Sequence, residues 1–250
     1  RDVGTNLTSI TANSNGTKQK RFTCNGVVDT GKDVKNNIEE ILTSCRGNLF
    51  YESGKYSIFI RKASIPEDLE ITENNIIGNW KWESLGIKET CNVLKASWVN
   101  PKKHFQTDYV YQPPKEQLLN QYLLDDNGFE NQKDIDLFFT NNKQMARQIA
   151  MVLRRELRQS LICSCTVTEE ALQAKIGNLL KVTHETPGWS QKLFWVSSVS
   201  ISPTSQIELA FTEYDPSVYD YDVIDIDPAE GADTTLNDPT VAPDEVTAVT

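Results

Sequence analysis

Residues 143–159 limit the fold more than any other part of this 250-residue chain, because they carry its strongest helical pattern. One face of the predicted helix is apolar and a second face carries arginines. The apolar positions are Met145, Ile149, Val152, Leu153 and Leu157, and the arginines are Arg147, Arg154 and Arg158. Residues 134–139 and 161–168, on either side, have the composition of strands. The pattern predicts a strand-helix-strand layer.

A shorter amphipathic helix is predicted upstream, with Asp33 as its N-cap and Gly47 at its end. Its apolar positions fall at i, i+4, i+7, i+8 and i+11, and are Val34, Ile38, Ile41, Leu42 and Cys45. Residues 21–28 before this helix are strand-like. Two strand-helix-strand units about 110 residues apart suggest a duplicated element.

A hairpin is predicted directly after this helix. Residues 49–51 and 55–60 flank a Glu-Ser-Gly turn, which is a short connection typical of antiparallel strands. In the second strand, Tyr56, Ile58 and Ile60 alternate with other residues, as expected for a strand with two different faces. The order of this part of the chain is therefore strand, helix, hairpin.

Strands dominate the rest of the predicted body. Residues 69–111 and 176–212 are rich in β-branched and aromatic residues, and both stretches are interrupted by Gly, Asn and Pro. Trp80, Trp82 and Trp98 recur at even spacing in the first stretch. We expect an α+β fold in which barrel-like antiparallel sheet domains are combined with strand-helix-strand layers.

The charge of the chain is concentrated at its C-terminal end. Residues 213–250 hold eleven carboxylates and no Lys or Arg, so residues 1–212 hold the remaining twenty-four acidic residues against twenty-five basic ones. The net charge of −10 therefore says little about what the body binds. Residues 213–240 are predicted to form an extended acidic linker. Residues 241–250, which are strand-like, read as the start of a further module.

The sequence predicts neither a membrane-spanning helix nor disulfide bonds. No run approaches the roughly 18 apolar residues of a membrane-spanning helix, and we expect a soluble module without a secretion signal. The five cysteines are odd in number and widely spread, so we expect them to be reduced. Cys163 and Cys165 share one face of a predicted strand with Leu161 and Val167, where a thiol acts as a small apolar group.

The string GVVDTGKD, residues 26–33, matches the spacing of a phosphate-binding loop at every position except the last. That motif needs a Ser or Thr hydroxyl for the magnesium ion, and Asp33 stands there instead. A helix cap at Asp33 and a turn at Gly31 explain the string without a ligand. We therefore predict no nucleotide and no other cofactor.

Metal and hydrolytic sites are also unsupported. His104 and His184 have no second ligand at zinc spacing, and Cys163-x-Cys165 has no matching pair. A glycosidase needs two carboxylates that face one cleft, which a sequence does not reveal. Close acidic pairs are Glu39-Glu40, Asp125-Asp126, Asp134/Asp136 and Glu169-Glu170. We predict no catalytic residue, no metal site and no enzyme activity, with a cell-wall-degrading or other glycoside hydrolase module as the alternative.

The arginine face of the helix allows two interpretations. Clustered basic residues can bind nucleic acid, but the near-neutral body and Glu156 in the same helix favour a solvated or partner-facing surface. We predict no nucleic-acid binding. The five tryptophans, which could stack on sugars or bases, are more typical of a core or of subunit contacts.

Four stretches resemble elements of phage tail proteins. RFTCNGVVDTGKDVKNNIEEILTSCRGNLFYESGKYSIFI, residues 21–60, resembles the strand, helix and aromatic hairpin of siphophage tail-tip proteins of the phage lambda J type. ASWVNPKKHFQTDYVY, residues 96–111, resembles that family's Trp strand with its Asn-Pro turn. KIGNLLKVTHETPGWSQKLFWVSSVSISPTSQIELAFTEYDPSVYDYD, residues 175–222, resembles its closing strands and acidic Tyr-Asp-Pro exit. VAPDEVTAVT, residues 241–250, looks like the first strand of a fibronectin type III module.

The resemblance covers most of residues 21–222 in the right order. It departs at Ile176-Gly177-Asn178, where the family more often has Pro-Gly-Asp, and residues 113–133 match none of its elements. It implies a homotrimeric central hub at the tip of a long non-contractile tail, similar to the baseplate hubs of contractile tails. The family has no catalytic residues to carry over in this region.

The pattern along the chain and the resemblance together set the expected domains, partners and location. Residues 1–20 are a loop or an arm, residues 21–66 a strand-helix-hairpin hub subdomain, and residues 67–212 a strand-rich barrel-like hub subdomain with a helix at about 143–159, which can be discontinuous in space with the previous one. The implied partners are two further copies, the distal tail protein, the tape measure protein and other tail-tip proteins. Downstream receptor-binding modules would contact the host surface. The implied location is the virion tail tip, after assembly in the host cytoplasm.

Overall fold

The computed structural model describes residues 9–11, 18–52, 54–62, 69–86, 89–114, 126–159, 161–202 and 206–220. The described helices are α1 (Val34–Thr43) and α2 (Lys143–Arg158). The strands are β1 (Ser9–Thr11), β2 (Lys18–Lys20), β3 (Gly47–Glu52), β4 (Lys55–Ile60), β5 (Glu70–Ile71), β6 (Ile76–Ser84), β7 (Val93–Asn100), β8 (Gln106–Gln112), β9 (Gln132–Leu137), β10 (Leu161–Val167), β11 (Leu179–His184), β12 (Trp189–Ile201) and β13 (Ile207–Glu213).

The largest sheet has six strands in the order β5-β11-β12-β13-β10-β6. β5 and β6 lie at opposite ends of this order, yet only residues 72–75 connect them. In a flat sheet with strands about 4.8 Å apart, the outer strands would be separated by about 24 Å. A fully extended connection from Ile71 to Ile76 reaches at most about 18 Å. The sheet therefore curls, which confirms the predicted barrel-like architecture.

The inside of the curled sheet is an apolar core. Alternate residues of the central strands point into it, as the two-residue period of a strand requires. Its most buried members include Ile71, Cys163, Cys165, Val167, Val182, Phe194, Leu209 and Phe211. The strand prediction for residues 161–168 is confirmed, and Cys163 and Cys165 are free thiols in the core.

A second core lies between α2 and a three-stranded sheet in the order β8-β7-β9. β7 pairs antiparallel with β8 and parallel with β9. Asn142 caps α2, because its side chain accepts hydrogen bonds from the backbone of Gln144 and Met145 at 2.9 and 3.2 Å. The apolar face of α2 packs on this sheet through Met145, Ala146, Ile149 and Ala150. The predicted helix and its apolar face are confirmed.

The strands predicted within residues 69–111 are present, and they belong to two different sheets. β6 pairs with β10 in the curled sheet, whereas β7 and β8 belong to the three-stranded sheet. β5 joins β11 in parallel. The composition indicates strands correctly, but the partner of each strand is set by contacts with residues far along the chain.

α1 and the hairpin β3–β4 are present where predicted, with one correction. α1 ends at Thr43, and the left-handed residue after it is Arg46 with φ 58°, not Gly47. Gly47 begins β3 instead. A Cβ at Gly47 would lie 2.8 Å from Cδ2 of Leu42, so a larger residue there would displace the buried Leu42 side chain.

The predicted strand at residues 21–28 is wrong. This segment runs beside Phe139, whose carbonyl accepts from Asn25 N at 2.9 Å, but it joins no sheet. The predicted duplication of a strand-helix-strand unit is wrong for the same reason, because the first unit lacks its first strand. The two strands around α2 belong to different sheets, so α2 is a crossover between two sheets rather than the centre of a repeated unit.

Residues 213–220 fold onto the body, which corrects the start of the predicted linker. After β13, Asp215 caps a short 3-10 turn, Pro216–Tyr219, by accepting from Ser217 N at 2.9 Å. Val218 and Tyr219 are buried in a third cluster that joins α2 to the curled sheet. This cluster also contains Met151, Val152, Leu179, Trp195 and Tyr214. The predicted linker beyond residue 220 and the module start at 241–250 lie outside the described residues.

Candidate functional site

The string that resembles a phosphate-binding loop forms a self-contained turn. Asp29 accepts from Gly31 N at 2.8 Å, and its carbonyl accepts from the side chain of Asn37 at 2.8 Å. Lys32, the residue that would reach a phosphate, is paired with Glu40 at 2.7 Å. Asp33 occupies the N-cap position of α1, but its side chain makes no capping hydrogen bond.

The histidines and acidic pairs are dispersed over the fold. Among the described residues, no group of three or more His, Cys, Asp or Glu side chains is arranged to hold a metal ion. His104 ends a 3-10 turn, whereas His184 stacks on Trp80 and its Nδ1 lies 3.1 Å from a carboxylate oxygen of Glu73. Asp136 accepts from Ser97 at 2.7 Å. Asp125 lies outside the described residues.

Two of the three arginines in the predicted surface stripe of α2, Arg154 and Arg158, act inside the chain, which corrects their interpretation as a solvated or partner-facing surface, whereas Arg147 is half-buried. Arg158 binds both carboxylate oxygens of Asp126, at 2.8 and 3.0 Å. This bidentate hydrogen bonding is the largest cause of the lowered pKa of Asp126. Arg155 donates to the carbonyl of Asp220 at 2.6 Å, and Arg154 is buried. Arg154, Arg155 and Arg158 line a cavity of about 480 Å³ beside residues 215–220.

Tyr219 anchors the segment that leaves the body. Its hydroxyl donates to Oε1 of Glu156 at 2.9 Å, and Arg46 lies 3.6 Å from the same oxygen. Burial, followed by the negative charge of Glu156, raises the pKa of Tyr219 well above its ordinary value. Arg46 and Glu156 are themselves almost fully covered. A buried pair of this kind holds one geometry, because breaking it leaves an uncompensated charge.

The hairpin β3–β4 presents an exposed apolar face. Its register places Tyr51 opposite Tyr56, with ring centroids 4.9 Å apart, and Leu49 opposite Ile58. Tyr51, Tyr56 and Ile58 are 62%, 74% and 58% exposed. The other face docks on the body, since Phe59 contacts Trp195 edge-on at 5.3 Å between centroids.

This orientation is the reverse of the usual one, in which the more apolar face of a strand points inward. The alternation of Tyr56, Ile58 and Ile60 was visible in the sequence. The direction of that face was not, because it is fixed by Phe59 and by Gly177, whose missing side chain makes room for the Phe59 ring. An exposed apolar sheet face is typical of a surface that contacts another protein.

Two cores joined through a helix, a curled sheet and a hairpin with an exposed aromatic face define the molecule as a mixed α+β protein. None of the described helices is long and apolar enough to cross a bilayer. No protein-family profile and no curated protein sequence matches the chain.

The fold is similar to that of one chain in a solved virion. A chain of the virion of a native gene transfer agent particle superposes with a TM-score of 0.57 at 9% identity. The match covers 74% of this chain and 40% of that chain. This chain therefore spans about two fifths of the solved protein that it matches, and at this identity the likeness shows the fold alone.

Two prophage tail proteins also align, with TM-scores that are too low to carry an argument. The 43 kDa tail protein of prophage MuSo2 from Shewanella oneidensis gives 0.48 at 11% identity, over 82% of this chain and 59% of that one. The prophage tail protein gp18 from Listeria monocytogenes gives 0.41 at 9% identity, over 81% and 58%.

Proposed function

We propose that this chain is a structural module of a phage tail tip. In this proposal it forms part of a homotrimeric central hub of the lambda J type, linking the tail tube to receptor-binding modules. The hub takes part in host attachment and DNA delivery, and residues 241–250 begin a fibronectin type III module. The observation that carries the proposal is the shared fold with a virion protein over 74% of the chain.

Two physical features of the body support an assembly role. Copies of a near-neutral body can approach each other without strong repulsion, which a ring around the tail axis requires. The exposed Tyr51, Tyr56 and Ile58 of the hairpin offer aromatic and aliphatic surface, and aromatic residues are enriched in subunit contacts. The partners in this proposal are two further copies, the distal tail protein and the tape measure protein.

A mass measurement on the full-length protein tests the hub. We expect a species of three copies, and a matched Ile58→Asp variant should shift the mass toward the monomer, whereas Ile201→Asp should not. Ile201 is a suitable control because it is similarly exposed, at 63%, on β12. A strictly monomeric full-length protein at high concentration would contradict the proposal.

The proposal includes the absence of enzyme activity. A cell-wall hydrolase would clear peptidoglycan in a gel assay and would lose that activity when one of two facing carboxylates is replaced. We expect no clearing by this chain. Activity that disappears in Asp126→Asn or Asp136→Asn would favour a hydrolase instead.

A further inference from the structure

Two tryptophans meet at the open side of the curled sheet. Trp82 lies on β6 opposite the core residue Cys163, so its side chain points to the inner face of the sheet. Trp189, at the start of β12, contacts it with ring centroids 6.1 Å apart and planes inclined by 68°. Trp82 is nevertheless 48% exposed. The inner face of the sheet therefore reaches solvent beside these two rings.

A partly exposed ion pair lies on the same inner face. Nζ of Lys192 is 2.7 Å from Oε1 of Glu213 and 5.3 Å from the ring centroid of Trp189. Lys192 stands opposite the core residue Val182. Glu213 stands opposite the core residue Phe194. The aromatic mouth of the curled sheet consists of Trp82, Trp189, Lys192 and Glu213.

The side chains of the aromatic mouth match the chemistry of a sugar ring. A β-linked hexopyranose carries apolar C–H groups on its faces and hydroxyl groups around its rim. The C–H face can lie on the exposed indole of Trp82. The rim hydroxyls can donate to the carboxylate of Glu213 and accept from the ammonium group of Lys192. Binding sites commonly combine aromatic walls with a few polar groups, and they occur at the mouths of β-barrels.

The charges of the aromatic mouth favour a neutral ligand. Lys192 and Glu213 neutralise each other, so the mouth offers no net charge to attract a phosphate or a metal ion. A nucleic acid binds chiefly through cations that meet its phosphates, and the ammonium group of the mouth is already paired. Neutral hydroxyl groups can replace water around the ion pair without separating its two partners.

We propose that the aromatic mouth binds a neutral β-linked oligosaccharide. Trp82 is the platform on which one sugar ring stacks, and Lys192 and Glu213 are the hydrogen-bonding groups that orient the ring. Trp189 holds the Trp82 ring from the side, since the two rings meet edge to face. This binding site goes beyond the proposed function and does not depend on it.

Titration of the complete 250-residue chain with cellotetraose, tri-N-acetylchitotriose and lactose tests the inference. Ligand-observed NMR measures the affinity from the sugar signals, so the measurement does not depend on the tryptophan that is removed. We expect at least one of these sugars to bind with a Kd on the order of 1 mM. Trp82→Ala should weaken this binding roughly tenfold, because the stacking platform is lost. Tyr109→Ala is the matched control, since Tyr109 is similarly exposed, at 50%, on β8.

A second variant separates the hydrogen-bonding groups from the platform. Lys192→Met/Glu213→Leu replaces the ion pair by apolar side chains, so it should weaken sugar binding while Trp82 stays in place. Urea denaturation of each variant checks that the body remains folded.

Three results would overturn the inference. The first is that none of the three sugars binds at about 10 mM. The second is equal affinity of the native chain and Trp82→Ala, which would place the sugar elsewhere. The third is that a single-stranded oligothymidylate binds through Trp82 while no sugar does, which would assign the platform to nucleobases.

Discussion

The indole of Trp80 stacks on the imidazole of His184, with ring centroids 4.4 Å apart and planes inclined by 13°. Trp80 belongs to β6, the last strand in the order of the curled sheet, and His184 ends β11, the second strand. The two rings therefore meet across the open side of the sheet. Trp189 joins them with its centroid 6.1 Å from that of Trp80. Among the described residues no strand pairing joins β6 to β5 or β11, and this side of the curled sheet is closed by aromatic contact.

Removing the Trp80 ring should destabilise the curled sheet. We expect Trp80→Ala to lower the free energy of unfolding by roughly 2 to 4 kcal/mol, because it empties space beside Phe211 and His184. Trp82→Ala is the matched control on the same strand. Its side chain is 48% exposed, so the expected loss is about 1 kcal/mol or less. Urea denaturation of both variants measures the difference, and equal losses would contradict the closure.

Gly177 should be essential for docking the hairpin. Its φ is 86°, and a Cβ would lie 2.6 Å from Cδ2 of Phe59. Gly128 has a similar φ of 80° with open space around it. We expect Gly128→Ala to cost about 1 kcal/mol from backbone strain alone. Gly177→Ala should cost roughly 1 to 3 kcal/mol more, because the Phe59 ring must move. Urea denaturation measures the loss of stability of each variant, and faster hydrogen exchange in β4 would show that the hairpin has loosened. Equal losses of stability for Gly177→Ala and Gly128→Ala would refute the role of Gly177 in docking.

The core thiols should resist modification. Burial raises the pKa of Cys163 and of Cys165 to about 12. The neighbouring Cys165 thiol is a second cause that raises the pKa of Cys163. At pH 8 we expect a thiol reagent to label exposed Cys24 rapidly and these two only on unfolding. The fast phase should vanish in Cys24→Ser. Rapid labelling of Cys163 or Cys165 in the native protein would contradict their burial.

The same thiols predict a loss of stability at alkaline pH. An unfolded thiol ionises from about pH 9, whereas the folded thiols stay neutral until about pH 12. Their contribution is therefore complete below pH 9 and is lost as the pH rises toward 12. The slope is up to about 1.4 kcal/mol per pH unit for each thiol. Denaturation between pH 8.5 and 10.5 should give a flatter slope for Cys163→Ala/Cys165→Ala, and an unchanged slope would refute the assignment.

The pair of Asp126 and Arg158 should contribute modestly to stability. The Asp126 side chain is 35% exposed, so we expect Asp126→Asn to cost about 1 kcal/mol or less. Because the folded pKa of Asp126 is lowered, this contribution is present above about pH 3.8 and disappears as the pH falls below that value. Asp134→Asn, at a looser pair with Lys95, is the control. Denaturation at pH 7 and pH 3 measures both, and a difference that is as large at pH 3 as at pH 7 would contradict the assignment.

Local pattern predicted the elements of this fold better than their partners. The period of residues 143–159 predicted α2 and its apolar face, since a helix of this length buries a face that is continuous in the sequence. The strand-like composition of residues 21–28 was misleading. Their backbone donates to the carbonyl of Phe139 and to the sulfur of Met145, each more than a hundred residues away, and no local pattern reports such contacts.

The surfaces were harder to predict than the core. Arg147, Arg154 and Arg158 looked like a partner-facing stripe, but Arg154 is buried and Arg158 binds Asp126, which is remote in sequence. Likewise, the apolar hairpin face could have pointed inward or outward. Phe59 and Gly177 determine its direction through a contact that spans more than a hundred residues.

Labelling of intact particles tests the account most directly. Particles released by a host that carries the gene can be labelled with gold-conjugated antibodies against this chain. Quantitative mass spectrometry of the purified particles then gives the number of copies of the chain per particle. The account predicts gold at one end of the tail only and three copies of the chain per particle. Gold on the capsid or along the whole tail, or purified particles that lack the chain, would contradict a role in the tail tip.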